Sequence, residues 1–394
     1  MPTTDHIEDH RSERSVSSRP PLPPVYERHI TQLQERLRRG GFSLSDMPGY
    51  VQGEPPSPER WQNTDYLEIY SKVWGREFGA NGIGRLREVA LTEITDHELW
   101  PYYSEAPEYL NNMGLRYTEL DIGKMQDQSA EYQGALESAG VVVHRVAYPA
   151  PPVGPFGPSR STWATNELLV VRGGSIIEKI AMNPFGIGRS EYLALWAFTQ
   201  LGIPPVLAIM GKGVAEAGPC FWLAEDIFVT ARGLCFNEEG LGQLLPTVRR
   251  SSGLDEADFT ALIIECHGGG YFDPESGVSQ HPDIVLGPLD VDKVICYPPG
   301  LDFGTWSWLK QHGYQMVEVG REEQVLYTPT NVTILEPGRV IMHAEAENAI
   351  AAVRKVGVDV IEVPYSEFAR LGGGVHCSTL RLWREPGPFS PSRS

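Results

Sequence analysis

Cys377 closes a glycine run, Leu371-Gly372-Gly373-Gly374-Val375-His376-Cys377-Ser378-Thr379-Leu380, near the C-terminus. Three glycines permit backbone conformations and close approaches that a Cβ forbids. They deliver one cysteine with a histidine before it and small hydroxyl residues behind it. A thiolate is the strongest ordinary protein nucleophile, and its reactivity follows the tuning of its pKa. An inert core thiol has no need of such a loop, so the pattern points to covalent catalysis.

Nucleophilic catalysis also needs an acid/base and groups that orient it. His281-Pro282-Asp283 supplies an imidazole and a carboxylate after the loop Asp273 to Gln280. Glu216-Ala217-Gly218 and Thr165-Asn166-Glu167 place a carboxylate and an amide at similar points, on connections leading into β-like runs. Each has a plainer reading. Asp283 could cap the turn at Pro282, Asn166 could make a local turn bond, and Glu216 could be a solvated carboxylate. His376 reads more readily as loop packing than as a second base. His267-Gly268-Gly269-Gly270 reads as a turn. Lys212 and Arg189 are candidates for a substrate carboxylate, although cations on loops are usually solvated. Cys220, Cys235, Cys266 and Cys296 lie in apolar runs and read as core. Neither a disulfide framework nor paired metal-ligand spacing is evident among the 5 cysteines.

These residues must be positioned by elements, and the chain repeats one unit. Each copy opens with β-like runs, passes through a helix-like segment and closes on a β-branched run. The first spans Gly84 to Leu91, a helix around Met125 to Ser138, and Val141 to Val146. The second spans Glu167 to Val171, Ser175 to Ile180, a helix from Ser190 to Leu201, and Pro205 to Ile209. The third spans Phe221 to Leu223, Asp226 to Thr230, a helix near Glu238 to Leu245, and Leu262 to Cys266. The fourth spans Asp283 to Leu286, Lys293 to Tyr297, a helix from Phe303 to Gln311, and Met316 to Val319. The fifth spans Asn331 to Leu335, Arg339 to Met342, a helix from Ala346 to Val356, and Val358 to Val363. Hairpins alternating with helices of 10–15 residues specify an α/β fold. Copies of uneven length suit a closed, fan-like array better than a solenoid, and loops of a closed array converge on one centre.

Composition bounds the alternatives. The chain has 394 residues, 41% apolar, with 41 Gly and 32 Pro, so it holds a sizeable core and many loops. Its formal net charge of −18, with no basic block, argues against nucleic acid and anionic membrane as partners. No apolar signal core and no run of 18 apolar residues occurs, so a cytoplasmic protein is expected. Residues 1–60 read as a flexible Pro/Ser/charged arm with one short amphipathic helix near Ile30 to Leu37. Residues 61–385 read as a single catalytic domain, and 386–394 as a disordered tail.

From about residue 66 to 384 the chain resembles the guanidine-modifying (pentein) superfamily of arginine deiminases, dimethylarginine hydrolases and arginine amidinotransferases. Gly372 to Cys377 matches the family's C-terminal cysteine loop, and Gly-Gly-Gly-x-His-Cys is most similar to the amidinotransferase branch. His281 and Asp283 match its His-x-Asp motif. Glu216 matches the glutamate of its Glu-Gly-Gly-Asp element, and Gly84 to Arg87 its opening Gly-Arg-Leu-Arg strand. Two family carboxylates are absent: Asn166 stands in Ala164-Thr165-Asn166 where Thr-Arg-Asp is usual, and Pro219 stands where the final Asp is usual. Some arginine-degrading hydrolases of the superfamily also carry Asn at the first of these positions.

The resemblance implies a five-bladed α/β propeller of ββαβ modules. It implies that the Cys377 thiolate attacks a guanidino carbon while His281 protonates the departing amine, with Glu216 orienting His281. Asp283 and Asn166, with Gly374, His376 and Arg189 nearby, would hold the substrate. Neither metal nor organic cofactor is expected. The leading expectation is an amidinotransferase, with an arginine-like guanidine as donor and an amine as acceptor, and a homo-oligomer compatible with the sequence. The alternatives are a hydrolase of arginine or a substituted guanidine, and a non-catalytic member that binds a ligand or protein.

Overall fold

The computed structural model describes residues 31, 34–35, 50–55, 57–62, 78–94, 121–147, 168–179, 190–267, 272–273, 275–370 and 373–393. Among the described residues, fifteen strands form five three-stranded sheets. In each, a central strand pairs antiparallel with one neighbour and parallel with the other. A parallel return needs a crossover, and a helix supplies it each time. The fold is therefore a five-bladed α/β propeller of ββαβ modules.

The second blade holds β3 (Leu168–Val171), β4 (Gly174–Ile177), α2 (Ser190–Leu201) and β5 (Pro205–Ala208). The third holds β6 (Phe221–Ala224), β7 (Ile227–Arg232), α3 (Glu238–Ser252) and β8 (Thr260–Glu265). The fourth holds β9 (Leu286–Asp290), β10 (Lys293–Cys296), α4 (Phe303–Gln311) and β11 (Gln315–Glu318). The fifth holds β12 (Thr333–Glu336), β13 (Arg339–His343), α5 (Glu347–Lys355) and β14 (Asp359–Val363). The first blade is assembled from both ends of the chain. Its β1 (Leu86–Thr92), α1 (Ile122–Ser138) and β2 (Val142–Val146) are completed by β15 (Leu380–Arg384), paired antiparallel with β1. The strand missing from the first sequence copy is thus supplied by the last segment of the chain, which closes the ring.

Local chemistry sets the helix starts. Side chains of Asp121, Asn237 and Asp302 accept from the backbone N–H of Lys124, Gly240 and Thr305 at the first turns of α1, α3 and α4. α3 runs past Pro246 to Ser252, further than the expected end at Leu245. The β3–β4 turn uses Gly173 and Gly174 at φ of 99° and 155°, which side chains rarely adopt. Apolar clusters then fill the space between neighbouring sheets, such as Phe221, Val229, Leu286 and Val294 between the third and fourth blades. Burying each such side chain is worth about 1.5–3 kcal/mol.

Two details differ from the sequence expectation. Residues 282–284 form a 3₁₀ turn ahead of β9, so the β-like run from Asp283 is not strand until Leu286. Residues 387–393, expected to be a disordered tail, lie against the third blade. Gly387 N donates to Glu225 Oε1 at 2.6 Å, Ser390 N to Asp226 Oδ1 at 2.8 Å, and Arg393 pairs with Asp258 at 2.8 Å. The buried carboxylates of Glu225 and Asp226, with the exposed Asp258, hold what composition alone would leave loose. The helix expected near Ile30 to Leu37 lies largely outside the described residues. Among the described residues no helix is long and apolar enough to cross a membrane.

Candidate active site

Four of the five blades present, among the described residues, a polar residue on the segment that enters their first strand. Glu216 precedes β6, His281 and Asp283 precede β9, Asn331 precedes β12, and Cys377 precedes β15. The ring brings these entries together, so residues far apart in sequence become neighbours. Asn166 and Arg189 lie outside the described residues. Lys212 is exposed on a loop, where its backbone N–H donates to Glu239.

Cys377 is buried, with its sulfur between two side chains. The thiol donates to Asp283 Oδ2 at 3.3 Å, and Asn331 Nδ2 donates to Sγ at 3.1 Å. Asn331 also accepts from the Cys377 backbone N–H at 3.0 Å and donates to Asp283 Oδ2 at 2.8 Å. His376 Nδ1 lies 2.8 Å from the same Asp283 oxygen and, facing an ionised carboxylate, is the donor. Three donors therefore converge on Oδ2. The other oxygen, Oδ1, is buried and makes no hydrogen bond with the described residues. An unpartnered buried carboxylate oxygen is costly, and beside a nucleophile it is a place for a substrate N–H.

The electrostatics follow from burial and these contacts. Burial pushes the Cys377 thiol well above its ordinary pKa, and the Asp283 charge pushes it further, so the resting sulfur keeps its proton. Burial alone would raise Asp283, but the hydrogen bonds from His376 and the Cys377 thiol hold it below the usual carboxylate value. His376 is pushed down to about 4 by burial and by the Arg381 guanidinium. It is neutral at neutral pH, with its Nδ1 proton on the Asp283 side.

His281 and Glu216 form the second element of the site. Nε2 and Oε2 are 2.8 Å apart, and both side chains are almost fully buried. Arg381, on β15, joins the two halves. Its guanidinium donates to the carbonyls of His376 at 3.3 Å, Thr379 at 3.1 Å and Gly218 at 3.3 Å, which ties the cysteine segment to the Glu216 segment.

A supporting layer holds the cysteine segment. The Tyr132 hydroxyl, on α1, lies 2.9 Å from Thr333 Oγ1 and 2.6 Å from Thr379 Oγ1. Gly374 packs so closely that a Cβ there would lie 2.6 Å from His343 Nε2 and 2.9 Å from Asn331 Oδ1. His343 is buried against the Tyr365 ring, neither of its ring nitrogens makes a hydrogen bond with the described residues, and burial pushes it down to about 3.

The sequence reading named Cys377, His376, Asp283, His281 and Glu216, and the structure gathers them in these two groups. It did not name Asn331, Arg381 or His343 as site residues. Asn331 carried a usable signal, since it enters its blade at the same point as Glu216 and His281. Cys235 was read as core; it is buried, but its sulfur also faces Glu216 and His281.

Comparison with known proteins places this geometry. Residues 303–384 match the family model for arginine deiminase. The chain is 36% identical over 358 residues to the 2-nitroimidazole nitrohydrolase of Mycobacterium sp. (strain JS330), covering 89% of this chain and 94% of that one. Among solved structures, the amidinotransferase SxtG from Microseira wollei superposes with a TM-score of 0.56 at 19% identity, covering 79% of this chain and 99% of that one. The N-terminal domain of the cyanobacterial arginine dihydrolase ArgZ superposes with a TM-score of 0.58 at 14% identity, covering 77% of this chain and 99% of that domain.

Proposed function

Because the chain belongs to the guanidine-modifying pentein superfamily, we propose that it is a cysteine-dependent hydrolase. Its target is a carbon flanked by two nitrogens and bearing a leaving group. The leading sequence expectation, amidino transfer, gives way to hydrolysis because the relative similar along almost its whole length is a nitrohydrolase. Within that class, a neutral ring of the 2-nitroimidazole type fits better than a guanidinium.

The observation that carries this choice is the charge around the sulfur. Asp283 is ionised, with one open oxygen for a substrate N–H, and the buried Arg381 cation stands near it. The two further carboxylates usual in the family are replaced by Asn166 and Pro219. One neutral N–H donor can use the open oxygen. A guanidinium cation would find fewer carboxylates, and so fewer charge-assisted hydrogen bonds, than the family's usual set offers.

In the proposed reaction, the Cys377 proton passes to Asp283 Oδ2 as sulfur adds to C2 of the ring. The C–N bond to the nitro group then breaks, and nitrite leaves with the electron pair. His281, oriented by Glu216, takes a proton from water as oxygen adds to C2. The C–S bond breaks, sulfur recovers its proton from Asp283, and His281 releases its own to solvent. The sum is nitroazole plus water giving the azolone, nitrite and one proton.

The test incubates the protein with 2-nitroimidazole or with arginine, the latter with and without an amine panel. Nitrite from the nitroazole, with arginine unchanged, is expected. Ornithine formed only when an amine is present would replace the hydrolase reading with amidino transfer, which the Gly-Gly-Gly-x-His-Cys loop favours. Citrulline would move the substrate back to a guanidine.

A further inference from the structure

Cys235 takes no part in the reaction above, yet it is built into the same corner. It lies on the turn from Gly233 to Phe236 between β7 and α3. That turn is laced to both neighbours. Glu216 N donates to Cys235 O at 3.1 Å, and Ala215 bridges Phe236. Leu234 N donates to the side chain of Gln280, the residue before His281, at 3.1 Å. A Cβ on Gly233 would lie 2.4 Å from that same Gln280 oxygen, so the two segments are in close packing.

Three segments from two blades thus converge. One ligating atom each from Glu216, Cys235 and His281 lies within 4.8 Å of the other two, and all three side chains are buried. We infer that Glu216, Cys235 and His281 form a site for a thiophilic divalent cation of the zinc type, and that its occupancy switches the enzyme off.

The donor chemistry selects the ion. One oxygen, one sulfur and one nitrogen suit a borderline-soft tetrahedral ion; magnesium and calcium require shells built mainly from oxygen. Bonds of about 2.0–2.1 Å on a tetrahedral ion put two ligand atoms about 3.3 Å apart. His281 Nε2 and Glu216 Oε2 stand 2.8 Å apart, so they need to open by only about half an ångström. The ion then takes the place of the proton they share. The Cys235 thiol deprotonates on binding and its proton goes to solvent. With His281 and Glu216 both ligating, no imidazole is left to activate water. The binding half of this inference is independent of the hydrolase reading; the inhibition half rests on it.

The test uses protein stripped with a chelator and then titrated with Co²⁺, whose thiolate ligation gives a charge-transfer band, and with Zn²⁺ by equilibrium dialysis. One ion per chain is expected, with the band present in wild type and in Cys377→Ala and lost in Cys235→Ala. Cys235→Ala keeps its turnover and needs at least about tenfold more zinc for half-inhibition. Cys235→Ser, close to cysteine in size, serves if the alanine variant does not fold. A band that vanishes in Cys377→Ala and survives in Cys235→Ala would place the metal on the nucleophile and overturn the assignment. So would the absence of a thiolate band or of stoichiometric zinc in wild type. Failure of the nitrite assay alone would leave the metal readouts intact, so the two readings fail separately.

Discussion

The sulfur side and the imidazole side of the site are held differently. On the sulfur side, His376, Asn331 and the Cys377 thiol all converge on one oxygen of Asp283. On the imidazole side, His281 Nε2 and Glu216 Oε2 meet at 2.8 Å, and the His281 backbone N–H donates to Ser279 Oγ at 3.1 Å. A shared acceptor couples its donors, so losing Asp283 disturbs three groups at once, whereas losing Glu216 loosens one ring. The nucleophile is positioned around one shared carboxylate oxygen, and the acid/base beside a carboxylate of its own. Substitutions should therefore fall in a graded order, and each one checks part of that contrast.

The largest effect is expected for Cys377→Ala, which should lose turnover by on the order of 10⁴-fold or more in a steady-state assay. Next comes His281→Asn, expected to cost about 10²–10⁴-fold, the range of one general acid/base. A loss near tenfold would mean that another group activates water.

Asp283→Asn removes the group that takes the Cys377 proton and should lower kcat/KM by about 10²–10⁴-fold, the range of one general acid/base. It should also shift the pH profile of Cys377 alkylation in the opposite sense to most inactivating changes. The Asp283 charge raises the thiol pKa, so its removal moves the profile to lower pH, while burial keeps it above that of a free cysteine. An unmoved or alkaline-shifted profile would refute the shared-carboxylate description. Glu216→Gln, acting through His281, should cost about tenfold in kcat and leave the alkylation profile in place.

The smallest effect concerns stability. His376 and His343 are pushed down to about 4 and about 3 by burial, and both charge in the unfolded chain below about pH 6.5. The unfolded chain therefore binds more protons between pH 6.5 and 4, and stability falls with acid across that window. Two such groups give at most about 2.7 kcal/mol per pH unit. Urea melts of His343→Leu should show roughly half that slope.

Much of the fold was legible because hairpins and helices alternate with clear periodicity, and α2 and α4 begin and end where the pattern predicts. The misplaced opening of the fourth blade has a local cause. Ile284 and Val285 are apolar and β-branched, but Pro282 starts a 3₁₀ turn that delays the strand. The β1–β15 pairing joins residues nearly 300 apart, beyond any local pattern. In the site, Cys377, His281, Asp283 and Glu216 stood out because their residue types and loop settings suit the chemistry. Asn331 was hidden in a β-like run beside Val332 and Thr333, and Arg381 and His343 within strands whose remaining positions are largely apolar. Their roles come from what the ring places opposite them, which spacing along the chain does not encode.

The most direct test of the central claim is intact-protein and peptide mass spectrometry of His281→Asn after brief exposure to 2-nitroimidazole. Without its water-activating imidazole, the enzyme should accumulate an imidazolyl adduct on the Cys377 peptide, with one nitrite released per adduct. Nitrite released without an adduct, or equally by Cys377→Ala, would contradict covalent catalysis by this cysteine.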